Sequence, residues 1–203
     1  MYNSKSLLEN YWKVRESDPR LILSYSQKNN ISPILSKLLI LRNINEENAD
    51  AFLNPSLKEN LPNPFILKDM KKSVTRTIAA LKNNEKIGIV SDYDVDGSTS
   101  AAILYKFIKN FSNNIVLRTP NRLVEGYGPN LKIMDEMKKQ NIKLLFTLDC
   151  GTSSFNIIDN EKYCEIDVIV IDHHLSDLVL PKVFSIINPN RIDEDNNLNQ
   201  MAA

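Results

Sequence analysis

The sequence is poor in the features that would place a protein outside the cell interior or lock it covalently. Its 203 residues include two cysteines, Cys150 and Cys164, too few for a disulfide framework and without the paired spacing of a zinc site. No apolar run approaches the roughly 18 residues of a membrane helix, and Met1-Tyr2-Asn3-Ser4-Lys5 opens no apolar core of a signal peptide. A reduced, cytoplasmic protein with no membrane partner is expected. An excess of charge is lacking too: 25 basic and 25 acidic residues leave a formal net charge of zero. Proteins that bind nucleic acid unaided usually carry a basic excess, because phosphate contacts and counterion release supply the affinity. Work on nucleic acid therefore requires basic groups clustered in space, or a second part of the protein to hold the strand. Glycine is scarce, five against nine prolines, so each glycine is informative. Histidine is scarcer still, at two, and those two are neighbours.

What is present is ordinary for a folded protein. The chain is 42% hydrophobic and 25% charged, and 203 residues allow one domain plus an accessory segment, or two small domains. Its richness in Asn, Lys and Ile reads as genome composition. Residues 1–66 read as a helical lead-in and linker. Short helices are predicted over Ser6–Val14, Pro19–Gln27, Pro33–Leu41 and Glu46–Leu53. Two of them open with a capping residue before proline, Asp18-Pro19 and Ser32-Pro33, and Asn54–Pro64 reads as a surface linker.

From residue 67 the pattern changes. Met70, Val74, Ile78 and Leu81 recur at helical spacing. Short apolar strands then follow over Ile87–Val90, Ile115–Arg118, Leu144–Leu148, Val168–Ile171 and Ser185–Asn188. Helices are predicted between them over Ser98–Asn110, Leu131–Lys139 and Phe155–Tyr163. This alternation predicts an α/β fold, a mainly parallel sheet flanked by helices, preceded by the small helical segment. The sequence stops at Met201-Ala202-Ala203, where an apolar helix could begin, so residues 67–203 are expected to be a domain incomplete at its C-terminal end.

Three strand ends hold the conspicuous polar clusters. Ile87–Val90 runs into Ser91-Asp92-Tyr93-Asp94-Val95-Asp96-Gly97, Leu144–Leu148 into Asp149-Cys150-Gly151-Thr152, and Val168–Ile171 into Asp172-His173-His174. In an open parallel sheet these loops gather at one edge, where ligands bind. Five carboxylates there would repel one another unless cations sat among them. Oxygen plus imidazole donors suit Mn²⁺ or Mg²⁺, with Mn²⁺ favoured where imidazole takes part. Alternate residues Asp92, Asp94 and Asp96 are expected to point one way along an extended chain and serve two ions. Two ions about 3.5–4 Å apart can activate water and neutralise a phosphoryl group during in-line displacement. Gly97 is expected to turn the chain into a helix whose N-terminus at Ser98-Thr99 receives phosphate. Each cluster alone has an ordinary reading, as a solvated turn, a calcium loop or a helix cap; together at one sheet edge they point to metal-dependent chemistry.

The Asp172-His173-His174 run, the Asp92–Gly97 loop and Asp149-Cys150-Gly151 resemble the first three motifs of the DHH phosphoesterase superfamily. Further segments resemble its RecJ-type exonucleases, which are specific for single-stranded DNA. These are Asn121-Arg122-Leu123-Val124-Glu125-Gly126-Tyr127-Gly128, Leu41–Ile44, Ala51–Pro55, Pro64–Met70 and Ile187–Arg191. The resemblance implies that Asp94, Asp96, Asp149 and His173 hold two Mn²⁺ or Mg²⁺ ions, with Asp149 bridging. It implies that His174 contacts the scissile phosphate, and that Asp92 and Asp172 orient ligands and backbone. Arg122 is a candidate phosphate clamp, with Glu125 as its partner, while Tyr127 reads as a packed loop aromatic that could also stack on a base.

The implied activity is 5′→3′ exonucleolytic hydrolysis of single-stranded DNA in repair and recombination, with a single-strand-binding protein and a helicase as candidate partners. The alternatives are a DHH-family phosphodiesterase acting on short oligonucleotides, cyclic dinucleotides or pyrophosphate, and a non-catalytic DNA-binding scaffold. The superfamily's fourth motif, with a further Asp ligand, and its C-terminal substrate-binding domain have no counterpart in these 203 residues. Weak or absent activity is expected of the chain by itself.

Overall fold

The computed structural model describes residues 7–11, 13–196, 198, 199, 201 and 202. It divides into two compact units, Met1–Pro62 and Asn63–Ala203. The first contains α1 (Pro19–Asn29), α2 (Pro33–Ile40), a 3-10 turn at Glu46–Asn48, α3 (Ala49–Leu53) and α4 (Leu57–Asn60). Both capping expectations hold. The Asp18 carboxylate accepts from the Arg20 N–H at 2.8 Å and the Ser32 hydroxyl from the Leu35 N–H at 3.2 Å, each ahead of a proline that begins the helix. A small core of Tyr25, Leu39 and Ala49 joins these helices, and the Tyr25 hydroxyl donates to the Ile44 carbonyl at 3.0 Å.

Two expectations fail in this unit. Ser6 and Trp12 lie outside the described residues, and the described part of Ser6–Val14 forms a turn and extended chain instead of a helix, with Leu7, Leu8 and Val14 exposed. A helix of two turns is marginal without an apolar face to bury, and among the described residues Leu7, Leu8, Tyr11 and Val14 all stay exposed. Asn54–Pro64 is not plain linker, since it contains α4.

The second unit runs from a 3-10 turn at Pro64–Ile66 through α5 (Met70–Lys82), β1 (Ile87–Ser91), α6 (Val95–Lys109), β2 (Ile115–Arg118), α7 (Arg122–Glu125) and α8 (Leu131–Lys139). It continues through β3 (Leu144–Leu148), a 3-10 turn at Glu161–Tyr163, β4 (Asp167–Ile171) and β5 (Ser185–Ile187). All five strands are parallel, in the order β2-β1-β3-β4-β5, with Ile87 opposite Ile115 and Leu144, and Leu144 opposite Asp167. β1 and β3 are buried at every position, as strands covered on both faces must be.

Alternate side chains supply the two cores. Val90, Leu145, Val168, Val170 and Ile186 pack with Ile133, Met134 and Met137 of α8. Ile87, Ile89, Leu144, Phe146, Leu148 and Ile169 pack with Ala80 of α5 and with Ala101 and Ile108 of α6. Burial of these side chains contributes roughly 1.5–3 kcal/mol for each large aliphatic group.

Between β3 and β4 the expected helix Phe155–Tyr163 is replaced by turns and the 3-10 turn. Asparagine and aspartate explain the change. Asn156 sits at φ 59°, its N–H bonded to the Asp159 carboxylate at 2.6 Å, and the Asn160 side chain accepts from the Lys162 N–H at 2.9 Å. Short polar side chains that satisfy nearby backbone in this way compete with helix.

The chain order of the sheet reverses between β1 and β3: the connection after β1 leads to one side, and that after β2 crosses to the other. The carboxyl ends of these two neighbours therefore flank the crevice where such sheets bind ligands.

Candidate metal centre

The Asp92–Gly97 loop is shorter than the sequence suggests. Helix α6 begins at Val95, so Asp96 and Gly97 lie in its first turn and Asp94 is its cap, accepting from the Gly97 N–H at 2.9 Å. The expected extended row of three aspartates does not form. Glycine is required at position 97, because a Cβ there would collide with the Asp92 carbonyl oxygen. The tight turn buries Asp92 to 4% exposure and leaves Asp94 in the open. Burial, then the neighbouring Asp94 charge, push the Asp92 carboxyl upward in pKa. The Gly97 N–H chiefly holds Asp94 below the usual aspartate range, as expected at the positive end of a helix.

Asp149 follows β3 in a left-handed backbone conformation, φ 59°, uncommon outside glycine and most tolerated by Asn and Asp. The bend aims its carboxylate inward at 1% exposure, and neither oxygen has a hydrogen-bond partner. Burial, reinforced by Asp94, raises this carboxyl from 3.8 to about 6. Unpartnered buried carboxylate oxygens are rare in folded proteins and call for an explanation.

Both histidine rings face the Asp149 carboxylate. His173 Nε2 lies 3.1 Å from Asp149 Oδ1 and 3.9 Å from Asp96 Oδ2, and His174 Nδ1 lies 4.0 Å from Asp149 Oδ1. Candidate ligand atoms of Asp92, Asp94 and Asp149 fall within 4.8 Å of one another, as do those of Asp149, His173 and His174. Asp149 belongs to both groups. Hard oxygen and imidazole donors around an unsatisfied buried carboxylate fit a divalent cation.

Residues 86–201 match the DHH family, N-terminal domain. The chain belongs to the DHH family. Among its relatives, the single-stranded-DNA-specific exonuclease RecJ of Bacillus subtilis (strain 168) is 31% identical over 181 residues, covering 89% of this chain and 23% of the relative. RecJ of Escherichia coli (strain K12) is 32% identical over 164 residues, covering 80% and 28% respectively. The chain thus spans about a quarter of the length of the curated relatives it matches. A crystal structure of exonuclease RecJ bound to manganese shares 27% identity at a TM-score of 0.59, over 64% of this chain and 33% of that one. The fold also matches RecJ from Thermus thermophilus in complex with Mn²⁺, at a TM-score of 0.66 and 19% identity over 89% of this chain and 25% of that one.

The remaining motif residues of this DHH chain fall around the same cluster. Asp172 is buried at 3% exposure, and its carboxylate accepts from the N–H groups of Thr152 (3.0 Å), His173 (2.8 Å) and His174 (3.2 Å) and meets His174 Nδ1 at 2.7 Å. Burial opposes its charge, but these bonds outweigh burial and lower its pKa. Burial likewise works to lower the His174 pKa, and the Asp172 bond with the charges of Asp172, Asp149 and Asp92 reverses the sign and raises it.

The Arg122 guanidinium stands 4.9 Å above the Tyr93 ring, within the loop that carries Asp92 and Asp94. Glu125 does not pair with it. Glu125 instead binds Arg118 at 2.6 Å, Lys132 at 2.8 Å and the Asn121 N–H at 2.8 Å. The backbone bond and these two cations hold its carboxyl at about 2. Tyr127 donates its hydroxyl to the Asp149 carbonyl at 2.9 Å and lies 3.3 Å from His174 Nδ1. Ser98 and Thr99 are exposed beyond the true helix start, and the Thr99 hydroxyl bonds back to the Val95 carbonyl at 2.7 Å. Sequence reasoning assigned no role to Thr152, Asn188 or Asn190, which join these loops from beneath. The available signal was an amide side chain placed directly after the buried run Ser185–Ile187.

Proposed function

We propose that residues 67–203 form the metal-binding part of a RecJ-type exonuclease, incomplete at its C-terminal end, with residues 1–66 as a helical lead-in. The substrate is single-stranded DNA, degraded 5′→3′ by phosphodiester hydrolysis in repair and recombination. The observation that carries this reading is Asp149, buried, unpartnered, and shared between two groups of ligand atoms.

Asp94, Asp96, Asp149 and His173 would hold two Mn²⁺ or Mg²⁺ ions. Bound there, the ions would supply a polarised water as nucleophile and neutralise charge on the phosphate. Asp172 accepts the hydrogen bond of His174 Nδ1–H, which fixes the tautomer and presents Nε2 to a phosphate oxygen. Nε2 would then face the charge that develops on that oxygen. Arg122, stacked on Tyr93, clamps a neighbouring phosphate. Ser98 and Thr99 line the approach to α6, whose positive N-terminal end extends the anion site. Single-strand-binding protein and a helicase are the partners this reading implies, and the cytoplasm its location. Among the described residues no helix is long and apolar enough to cross a membrane.

Manganese binding to the chain, followed by electron paramagnetic resonance of free Mn²⁺, tests the centre; Asp149→Asn should abolish it. Hydrolysis of long 5′-phosphorylated single strands compared with dinucleotides then tests the substrate. Equal or faster turnover of dinucleotides by the full-length protein would replace the RecJ reading with that of a short-oligonucleotide phosphodiesterase.

A further inference from the structure

Residues His173 and His174 lie past the end of β4, outside any helix or strand, and their backbone must find other partners. All four of their polar backbone groups are taken by side chains. Asp172 Oδ1 accepts from both N–H groups, at 2.8 and 3.2 Å. The Asn188 amide donates to the His174 carbonyl at 2.9 Å, and the Asn190 amide donates to the His173 carbonyl. Asn188 is completely buried, and its other amide hydrogen goes to Thr152 Oγ1 at 2.9 Å, while its Oδ1 accepts from the Asn190 N–H at 2.7 Å. Thr152 in turn donates its N–H to Asp172. One closed network therefore ties the loops that follow β3, β4 and β5.

We propose that Asn188 and Asn190 are positioning residues for the two histidines, acting on the rings through the carbonyls they hold. A histidine ring has two torsions beyond its backbone, so fixing the peptide on both sides fixes where Cβ points. Ligands held in this way lose less freedom on binding an ion. Asn190 holds the peptide between His173, which faces Asp149 and Asp96, and His174, which faces Asp172 and Tyr127, and Asn188 holds the peptide that follows His174.

The network also depends on the edge strand that carries it. β5 has three residues and pairs with β4 alone, yet Asp69 Oδ2 accepts from the Ile186 N–H at 3.0 Å and from Arg191 at 3.1 Å. Arg191 donates as well to the Ile186 carbonyl at 2.6 Å. Asp69, just before α5, thus anchors the strand that delivers both amides.

The inference deepens the metal-centre reading and rests on it for its functional meaning, but its test does not need activity. The chain contains only two histidines, so histidine-selective ¹⁵N labelling gives two imidazole spectra without overlap. At one fixed pH, Asn190→Ala should shift the ring signals of both histidines, because the His173 carbonyl it holds lies in the peptide that joins them, and Asn188→Ala should shift those of His174 and, by freeing Asn190, those of His173 as well. Ser185→Ala is the control. It removes the buried Ser73–Ser185 hydroxyl bond of 2.7 Å on the same strand and should move neither ring. Asn190→Ala should also weaken Mn²⁺ binding about tenfold, as loss of a ligand-orienting group does.

Unchanged ring spectra in a folded Asn190→Ala chain, or equal shifts in Ser185→Ala, would overturn the proposal. Should Asn188→Ala fail to fold, Asn190→Ala and the control decide by themselves. Ring shifts in the asparagine variants without any Mn²⁺ binding to the unaltered chain would uphold the positioning role and remove the metal reading.

Discussion

Replacing Asp149 by asparagine should make the metal-free chain more stable. A buried carboxylate whose pKa rises from 3.8 to about 6 binds its proton more tightly in the folded state. Below pH 4 the group is protonated in both states and has no effect on stability. As pH climbs past 4 the unfolded chain ionises first, and folding is progressively disfavoured until the folded group ionises as well, near pH 6. At pH 7 the penalty amounts to about 2–3 kcal/mol, taking 1.36 kcal/mol for each tenfold change in proton affinity. Asparagine keeps the shape and carries no charge, and its amide can donate to Asp94 where protonated Asp149 would. In a domain of this size the gain corresponds to roughly 5–10 °C in Tm. The assay is thermal unfolding with EDTA from pH 4 to pH 8, read as the difference between the two proteins. That difference should be small at pH 4 and largest above pH 6. Added Mn²⁺ should stabilise the unaltered chain and not the variant. A variant less stable than the original at pH 7 in EDTA would refute the reasoning, because the His173 ring, 3.1 Å from Asp149 Oδ1, would then be pairing with the buried charge strongly enough to outweigh its desolvation.

Gly97→Ala should destabilise the second unit by about 3 kcal/mol or more in urea unfolding, since its methyl group meets backbone that cannot move aside. Tyr127→Phe removes the hydroxyl between the Asp149 carbonyl and His174; it should leave Tm within a few degrees and weaken Mn²⁺ binding about tenfold, by titration calorimetry. Glu125→Gln should speed hydrogen exchange at the Asn121 amide, which the carboxylate now holds. Because the Glu125 pKa is depressed from 4.5 to about 2, its contribution should persist above pH 4.5 and fade as pH falls towards 2. Unfolding curves of Glu125→Gln and the unaltered chain should therefore converge at low pH.

Strand positions were legible because burial on both faces forces an uninterrupted apolar run. Ile87–Ser91 and Leu144–Leu148 are buried throughout and stand where the pattern puts them, and parallel pairing then brings their carboxyl ends to one edge. Helices were legible where an apolar stripe was long, as in Met70–Lys82 and Leu131–Lys139. Phe155–Tyr163 has the stripe, but Asn156, Asp159 and Asn160 bond the backbone locally, and periodicity does not register that competition. The start of α6 was misplaced by three residues because Asp-Val-Asp-Gly reads as a turn, whereas Asp94 is a helix cap. The partners of Glu125 were likewise beyond reach. Arg122 is nearest in the sequence, but α7 turns it towards Tyr93, and Arg118 and Lys132 arrive from a strand and a helix on either side.

The repulsion among the aspartates is not spread evenly, and the distribution says where a cation is needed. Asp94 is eased by the N–H groups that open α6, and Asp172 by three N–H groups and a histidine. Asp92 keeps one oxygen without a partner, and Asp149 keeps two. Uncompensated charge is thus concentrated on the residue that closes β3, at the point where the sheet order reverses and next to both histidines. A left-handed bend holds that residue there against its own backbone preference. The shortage of donors is graded: Asp94 and Asp172 are bonded, Asp92 keeps one bare oxygen, and Asp149 alone keeps two. The strain at Asp149 and the completeness of the bonding at Asp172 are two sides of one arrangement, in which a single buried carboxylate is kept free for a ligand of opposite charge.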